Sequence, residues 1–514
     1  MAEMIKLFVN GVEVEVESGK NLIDALKVVG IEIPHFCYHP ALGADGNCRM
    51  CLVGIEDGRP PLVPACKTPA APGMKVQLDT GKIKKIQQDM MEFQLINHPI
   101  DCPVCDQAGE CTLQDYYMSY DAQDSRMTVP VVEKGKRMDL GCGVVHDQER
   151  CVLCARCVRF TRLITKTGEL GIVNRTDDAR VEIFPGRPLN NRYAVNVVDL
   201  CPVGAMTSRD FRFKQRAWFL TRDKGICHGC AKGCNIFIDH NCEKYKDDII
   251  YRFRPRLNEQ VNGYFICDEG RLTYHAENEG RLLTARVDGV ECSFDSAAQA
   301  ARKVLGVKTL MLVSPNCTVE QMIAIKALAE TVGAKLSGYS DGYIKTGDGD
   351  DWLIRDDKSA NRAGLTLLGI DSSKEAFTAA LNSSDVLFSF NNDLFIYDTG
   401  SEFRQQVEKM KVIAIGTHDN AFTKMAVIAI PVASYSESSG SVINSDGILQ
   451  HFSRAVRKNT PLPDMIQVAG IVGSPVVTES DIAGEMKKVL PSLTEVIPEG
   501  GLKLTESEAA HVPA

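Results

Sequence analysis

The chain has 514 residues, 44% of them apolar and 24% charged, with a net charge of −9. That length exceeds what one core holds and implies several modules. The mild acidity argues against a nucleic-acid binder. No apolar run reaches the roughly 20 residues that span a bilayer. The longest, "MAVIAIPVA" at 425–433, reads as a buried strand. The opening "MAEMIKLFVNGVEVEV" lacks a basic stretch followed by an apolar core, so no export signal is expected and the chain reads as soluble, on the cytoplasmic side. Nineteen cysteines point away from disulfides and toward metal or redox chemistry in such a compartment. The last of them is Cys317, which divides a cysteine-rich front from an ordinary back.

Residues 4–16 alternate around Asn10-Gly11, a two-residue hairpin signal. "KNLIDALKVV" at 20–29 has helical spacing and stops at Gly30. Hairpin, helix and cysteine loop is the order of a β-grasp ferredoxin. Residues 82–96 form one broad helical face from Ile83, Ile86, Met90, Phe93 and Leu95, ending before Pro99. A polar connector is expected at 119–136, cysteine-bearing modules at 138–219 and 221–271, then strands alternating with helices. "TLMLVSP" before "TVEQMIAIKALAETVGA", and "DVLFSF" before "EFRQQVEKM" and "KVIAIG", give the pattern of a parallel α/β domain. The small, polar end "PEGGLKLTESEAAHVPA" is expected to be a flexible tail.

Four ligand sets stand out. The first is Cys37, Cys48, Cys51 and Cys66, with Gly43 and Gly46 between the first two. Four thiolates suit a 2Fe–2S cluster, and the glycines let backbone amides turn toward sulfur; structural zinc is the plainer alternative. The second is Cys102, Cys105 and Cys111, one thiolate short of a 4Fe–4S set. The next cysteine, Cys142, lies beyond the connector, whereas His98 ends a helix one short turn away. A neutral imidazole is an accepted iron–sulfur ligand, so His98 is taken as the fourth, against a histidine that merely balances a helix end.

The third set, Cys151, Cys154 and Cys157 with a remote Cys201-Pro202, carries a bacterial ferredoxin signature and implies one 4Fe–4S cluster. Arg150, Arg156 and Arg159 around it either stabilise a reduced cluster or are solvated helix charges. The fourth, Cys227, Cys230 and Cys234, reads as a further 4Fe–4S site completed by Cys267 across 32 residues, with Cys242 as rival and zinc as alternative. Cys142, Cys242, Cys292 and Cys317 are left as buried or incidental thiols. No Walker loop, catalytic triad or dinucleotide fingerprint is present.

The stretches "HFCYHPAL…GNCRMCLVGIE…PACKTPA", "NHPIDCPVCDQAGECTLQDYYM", "RCVLCARCVRF", "VDLCPVGAMT" and "GICHGCAKGCNI" resemble, in this order, the large (75 kDa) iron–sulfur subunit family of NADH:quinone oxidoreductase, respiratory complex I. The resemblance covers 6–224 with high specificity. It continues more weakly to "IPVASYSESSGSVINSDGILQHF", which resembles the closing part of a molybdopterin-enzyme-like domain. It implies a multidomain α+β then α/β chain. The modules are a 2Fe–2S ferredoxin-type domain (1–78), a 4Fe–4S domain with one histidine and three cysteine ligands (79–120) and a 4Fe–4S ferredoxin-like domain (138–219). A 4Fe–4S molybdopterin-oxidoreductase-type domain (221–275), a truncated molybdopterin-oxidoreductase-like α/β domain (276–490) and the tail (495–514) follow.

The implied role is an electron relay without a substrate-converting site, through one 2Fe–2S and two 4Fe–4S clusters, a third lying off the route. The implied partners are a flavin subunit that binds NADH and FMN, a thioredoxin-like 2Fe–2S subunit and a ferredoxin-like subunit. They form a hetero-oligomer on the cytoplasmic face of the inner membrane, which this chain meets only through its partners. Family members also carry a histidine at the place of His98. Two departures stand: the back half is trimmed, and Glu269 in "CDEGR" occupies the place where molybdenum enzymes offer a lysine. No molybdenum cofactor is therefore expected. A soluble NAD-linked hydrogenase or formate dehydrogenase relay, or a zinc-held scaffold without redox activity, are the competing readings.

Overall fold

Asn10 and Gly11 both take positive φ (50° and 84°), the geometry that joins β1 (Met4–Val9) to β2 (Val12–Glu17) in an antiparallel hairpin. Helix α1 (Leu22–Lys27) starts at Asn21, whose side chain accepts from the Asp24 amide, and the chain leaves it through Gly30 in the left-handed region. β3 (Leu52–Ile55), β4 (Leu62–Pro64) and β5 (Lys75–Gln77) complete a five-stranded sheet of order β2-β1-β5-β3-β4, with β5 parallel to β1. Leu7, Val9 and Val76 from the sheet pack on Leu22 and Leu26 of α1. The computed structural model describes residues 3–56, 58, 61–121, 123–128, 130–242, 247–398, 401–493, 497–505 and 508. The chain divides into two units, Met1–Leu220 and Thr221–Ala514.

Within the first unit, α2 (Gly81–Leu95) is capped by Thr80 and buries Ile83, Gln87 and Met91. The helical spacing predicts Phe93 on the buried face; it is 63% exposed, because the line that faces the protein runs i, i+4, i+8 from Ile83. α3 (Thr112–Tyr116) follows. The polar connector is strapped back onto α2: Glu92 accepts from Gln123 (2.6 Å) and Arg126 Nε (2.7 Å), and Asn97 accepts from the Val132 amide (3.0 Å). Next come β6 (Met138–Gly141), β7 (Val144–His146), α4 (Arg156–Arg159), the hairpin β8 (Leu170–Val173) and β9 (Arg180–Ile183), α5 (Asn196–Leu200) and β10 (Met206–Ser208). Strands β10-β7-β6 form a small antiparallel sheet.

The second unit opens with an antiparallel sheet of β11 (Thr221–Ile226), β12 (Asn235–Cys242) and β13 (Asp248–Pro255), followed by α6 (Asp268–Leu272) and α7 (Tyr274–Asn278). A seven-stranded sheet then builds from β14 (Ala285–Val287), β15 (Val290–Cys292), β16 (Thr309–Val313), β17 (Lys335–Ser337), β18 (Val386–Phe390), β19 (Lys411–Gly416) and β20 (Ile428–Pro431). Its order is β15-β14-β20-β19-β18-β16-β17. Strands β17, β16, β18, β19 and β20 are parallel, as the alternation of apolar strands and helices predicts; β14 and β15 add an antiparallel edge. Every residue of β16 is buried, as befits a strand covered on both faces. Met322, Ile325 and Leu328 of α8 (Val319–Val332) and Val468 and Val472 of α9 (Met465–Val472) join that core.

The tail is not wholly irregular. Leu502–Lys503 pairs with Ile448–Phe452, Leu504 is buried, and the Glu508 carboxylate accepts from Ser492 and Thr505. A polar composition still forms an edge strand where an unpaired edge and alternating leucines meet. The rest of the expected tail, 495–496, 506–507 and 509–514, lies outside the described residues.

Candidate functional site: four convergent thiol sets

Cys37, Cys48 and Cys51 of the first set sit in the loop between α1 and β3, where Gly43 (φ 71°), Gly46 (φ 79°) and Arg49 (φ 54°) turn the chain back on itself, and Cys66 joins them from the turn after β4. All four thiols are buried, Cys37 hydrogen-bonds Cys48, and Cys51 hydrogen-bonds Cys66. The amides of Gly46, Asn47 and Cys48 donate to Cys37 sulfur, as the glycine loop suggested. Within each pair one thiol is driven toward the thiolate by its partner, Cys37 and Cys51, while Cys48 and Cys66 are pushed up. Amides aimed at sulfur favour the anionic form that binds metal.

In the second set the structure brings His98, Cys102, Cys105 and Cys111 to one cavity of 1070 Å³. Burial holds the His98 imidazole down to about 4, so it is neutral near pH 7, and its Nδ1 is buried without a hydrogen-bond partner. A buried nitrogen of this kind needs a donor or a metal for its lone pair, or an acceptor for its proton. Burial also lifts Cys105 and Cys111, the latter to about 11. Sequence reasoning missed Gly204, which lines the same cavity: a Cβ built there would overlap Cys105 Sγ. It stands three residues after Cys201, in "CPVGA", so the loop of the third set closes against the second.

The third set lies where α4 leaves the "CVLCARC" loop. Leu153 (φ 50°) and Ala155 (φ 58°) flank Cys154 in the left-handed region, a conformation that costs about 1–3 kcal/mol and gathers at functional sites. Cys151, Cys154, Cys157 and Cys201 face one another closely enough for their charges to interact, and burial pushes all four up, Cys154 to about 11 and Cys151 to about 12. Amides of Val203, Ala205 and Met206 donate to Cys201 sulfur. Of the three arginines, none is the solvated charge offered as one alternative. Arg150 makes a bidentate pair with Asp101 (2.9 and 2.5 Å), and Arg156 and Arg159 reach carbonyls of the first set's loop.

In the fourth set Cys267 converges with Cys227, Cys230 and Cys234, and the four line a cavity of 400 Å³. Cys242 is exposed at the far end of β12. Gly270 allows the approach, since a Cβ there would stand 3.0 Å from Cys227 Sγ and 3.2 Å from Cys267 Sγ. The Gly270 amide donates to Cys267 sulfur at 3.2 Å. Lys358 Nζ, distant in sequence, comes within 3.8 Å of Glu269 and also pairs with Asp348. Of the other cysteines, Cys317 is buried, Cys292 half-buried and Cys142 exposed. Among the described residues no three His, Cys, Asp or Glu side chains close on the spacing of a single metal ion. The second and fourth sets instead line larger cavities.

A separate crevice of 470 Å³ opens at the carboxyl ends of the parallel strands, lined by residues that include Asn316, Asn392, Thr417, Ser434, His228 and Lys358. Gly229, Thr273, Lys358 and Tyr397 line both this crevice and the cavity of the fourth set.

Comparison with known proteins places these sets in context. Residues 2–81 match a 2Fe–2S iron–sulfur cluster binding domain, 87–126 the NADH-ubiquinone oxidoreductase-G iron–sulfur binding region, and 141–207 the ferredoxin-like domain of NADH-quinone oxidoreductase subunit 3. The NADH-quinone oxidoreductase G subunit of Rickettsia conorii is 34% identical over 451 residues, 82% of this chain and 64% of that protein. The NADH-ubiquinone oxidoreductase 75 kDa subunit of Reclinomonas americana is 40% identical over 280 residues, 54% of this chain and 39% of that one. The mitochondrial NADH dehydrogenase [ubiquinone] iron–sulfur protein 1 of Solanum tuberosum is 36% identical over 344 residues, 65% and 45% respectively. The chain thus spans about two-fifths to two-thirds of the length of these relatives. A solved NAD+-reducing [NiFe]-hydrogenase chain is similar at 23% identity and a TM-score of 0.37, over 41% of this chain and 90% of that one. From the domain matches and these relatives, the chain is similar to the 75 kDa iron–sulfur subunit family of NADH-quinone oxidoreductase.

Proposed function

We propose that this chain is the iron–sulfur relay of an NADH:quinone oxidoreductase. In this reading it takes electrons from a flavin subunit that oxidises NADH and passes them toward the subunits that reduce quinone. Cys37, Cys48, Cys51 and Cys66 would hold a 2Fe–2S core. His98, Cys102, Cys105 and Cys111 would hold one 4Fe–4S core, and Cys151, Cys154, Cys157 and Cys201 another. Cys227, Cys230, Cys234 and Cys267 would hold a third, off the main route. When bound, such cores supply reversible one-electron chemistry. The chain's own work is to bury them, aim amides at their sulfurs and keep bulk water away.

The observation that carries the reading is the buried, neutral His98 with an unpartnered Nδ1 beside three thiols. The domain boundaries given above go with it, as do the thioredoxin-like and ferredoxin-like partners and a place on the cytoplasmic face of the inner membrane. No helix among the described residues is long and apolar enough to cross a membrane. The second unit is read as a shortened molybdopterin-oxidoreductase-like scaffold. Its polar crevice at the strand ends, where open α/β sheets bind ligands, supports that descent. Anaerobically purified protein is expected to carry about fourteen irons per chain, with colour that bleaches under dithionite. Protein with zinc in place of iron would refute the reading.

A further inference from the structure

Arg156 and Arg159 differ from Arg150 in one respect that bears on the relay. Arg150 is neutralised by Asp101 and Asp147. Arg159, only 4% exposed, donates to the carbonyls of Leu42 (3.1 Å), Gly43 (2.8 Å) and Cys37. Arg156 donates to the carbonyls of Tyr38 (2.7 Å) and Leu200 (3.2 Å). Among the described residues no carboxylate pairs with either, and the Nε of each is buried without a partner. Both belong to α4, which carries Cys157, and both end in the loop that carries Cys37; Leu200 directly precedes Cys201. Two guanidinium charges are thus held between the first and third sets with only neutral acceptors. A buried charge left that way is costly unless an anion lies close by. Thiolate-bound iron–sulfur cores are net anions, and they flank the pair on both sides.

We propose that Arg156 and Arg159 are positioning residues that act as shared counter-cations of the first and third cores. They lock the two ligand loops together and make both cores easier to reduce; this rests on the relay reading above. Positive charge opposite an anionic core stabilises the state with one more electron, and a single charge between two cores acts on both.

The test is a redox titration of the purified chain, followed by EPR, with iron counted in each sample. In Arg159→Gln, which keeps a donor for the carbonyls and removes the charge, the ratio of reduced to oxidised centre at a fixed poise is expected to fall about tenfold in both cores. Tenfold is 59 mV for a one-electron couple. Arg159→Lys is expected to restore both. Should Arg159→Gln lose its iron, Arg156→Gln carries the same measurement. Full iron with unmoved potentials overturns the assignment, as does a shift confined to one core or a lysine variant that restores neither. A wild-type chain without iron overturns the relay reading and this assignment with it; wild type with its cores but insensitive variants overturns this assignment alone.

Discussion

Gly204→Ala tests most sharply whether the second and third sets are built as described. The backbone at Gly204 has no positive φ, so alanine meets no conformational objection; the obstacle is space. Its Cβ would overlap Cys105 Sγ and stand 3.1 Å from Gln107 Cβ. Two escapes exist. The loop at 202–205 can retreat, which gives up the amides of Val203, Ala205 and Met206 on Cys201 sulfur, at about 1 kcal/mol each. Alternatively Cys105 can leave its rotamer, at about 0.5–1.5 kcal/mol. The second is cheaper, so the sulfur of Cys105 moves and the core held with His98 is lost or reshaped while the Cys201 core stays. Iron should fall by about four per chain, one EPR signal of the reduced protein should vanish or change, and the other 4Fe–4S signals should persist. Gly81→Ala is the control: nothing lies within 4 Å of its Cβ, and at the start of α2 it should keep all iron and gain less than about 1 kcal/mol. Gly204→Ala with full iron and an unaltered spectrum would refute the reasoning.

Further outcomes follow from other residues. His98→Cys replaces a neutral ligand by an anionic one, so the core should persist at a lower potential; an unchanged spectrum would count against His98 as ligand. Cys267→Ser should remove about four irons and Cys242→Ser none, and the opposite result would make Cys242 the fourth ligand. In the second unit, burial works against the charge on His240. Its hydrogen bonds to Asp248 (2.8 Å) and Asp223 (2.9 Å) outweigh that and raise its pKa. The stability this histidine contributes is complete below its unfolded value, near 6.5, and is lost as pH rises through the raised folded value. The thermal unfolding midpoint should therefore fall across that rise in wild type and less so in His240→Gln; parallel profiles would show that the histidine is not charged in the fold.

What the sequence determined by itself was mostly local. Spacings such as those of Cys102 and Cys105, or Cys151, Cys154 and Cys157, bring thiols together whatever surrounds them, because the loop is only a few residues long. The Asn10-Gly11 turn, the helix at 82–96 and the apolar strand in "TLMLVSP" were legible for the same reason: turn chemistry and apolar pattern act over one or two turns of chain. The tertiary structure decided what depends on distant segments. It brought Cys267 rather than Cys242 to its set across 32 residues, turned the face of α2 so that Phe93 points outward, and paired the tail with a free edge. It also set Lys358 beside Glu269, Gly204 against Cys105 and two arginines of one cysteine loop on the carbonyls of another. Such partners are chosen by the packing of whole modules, where burial and the need to satisfy polar groups act through space rather than along the chain.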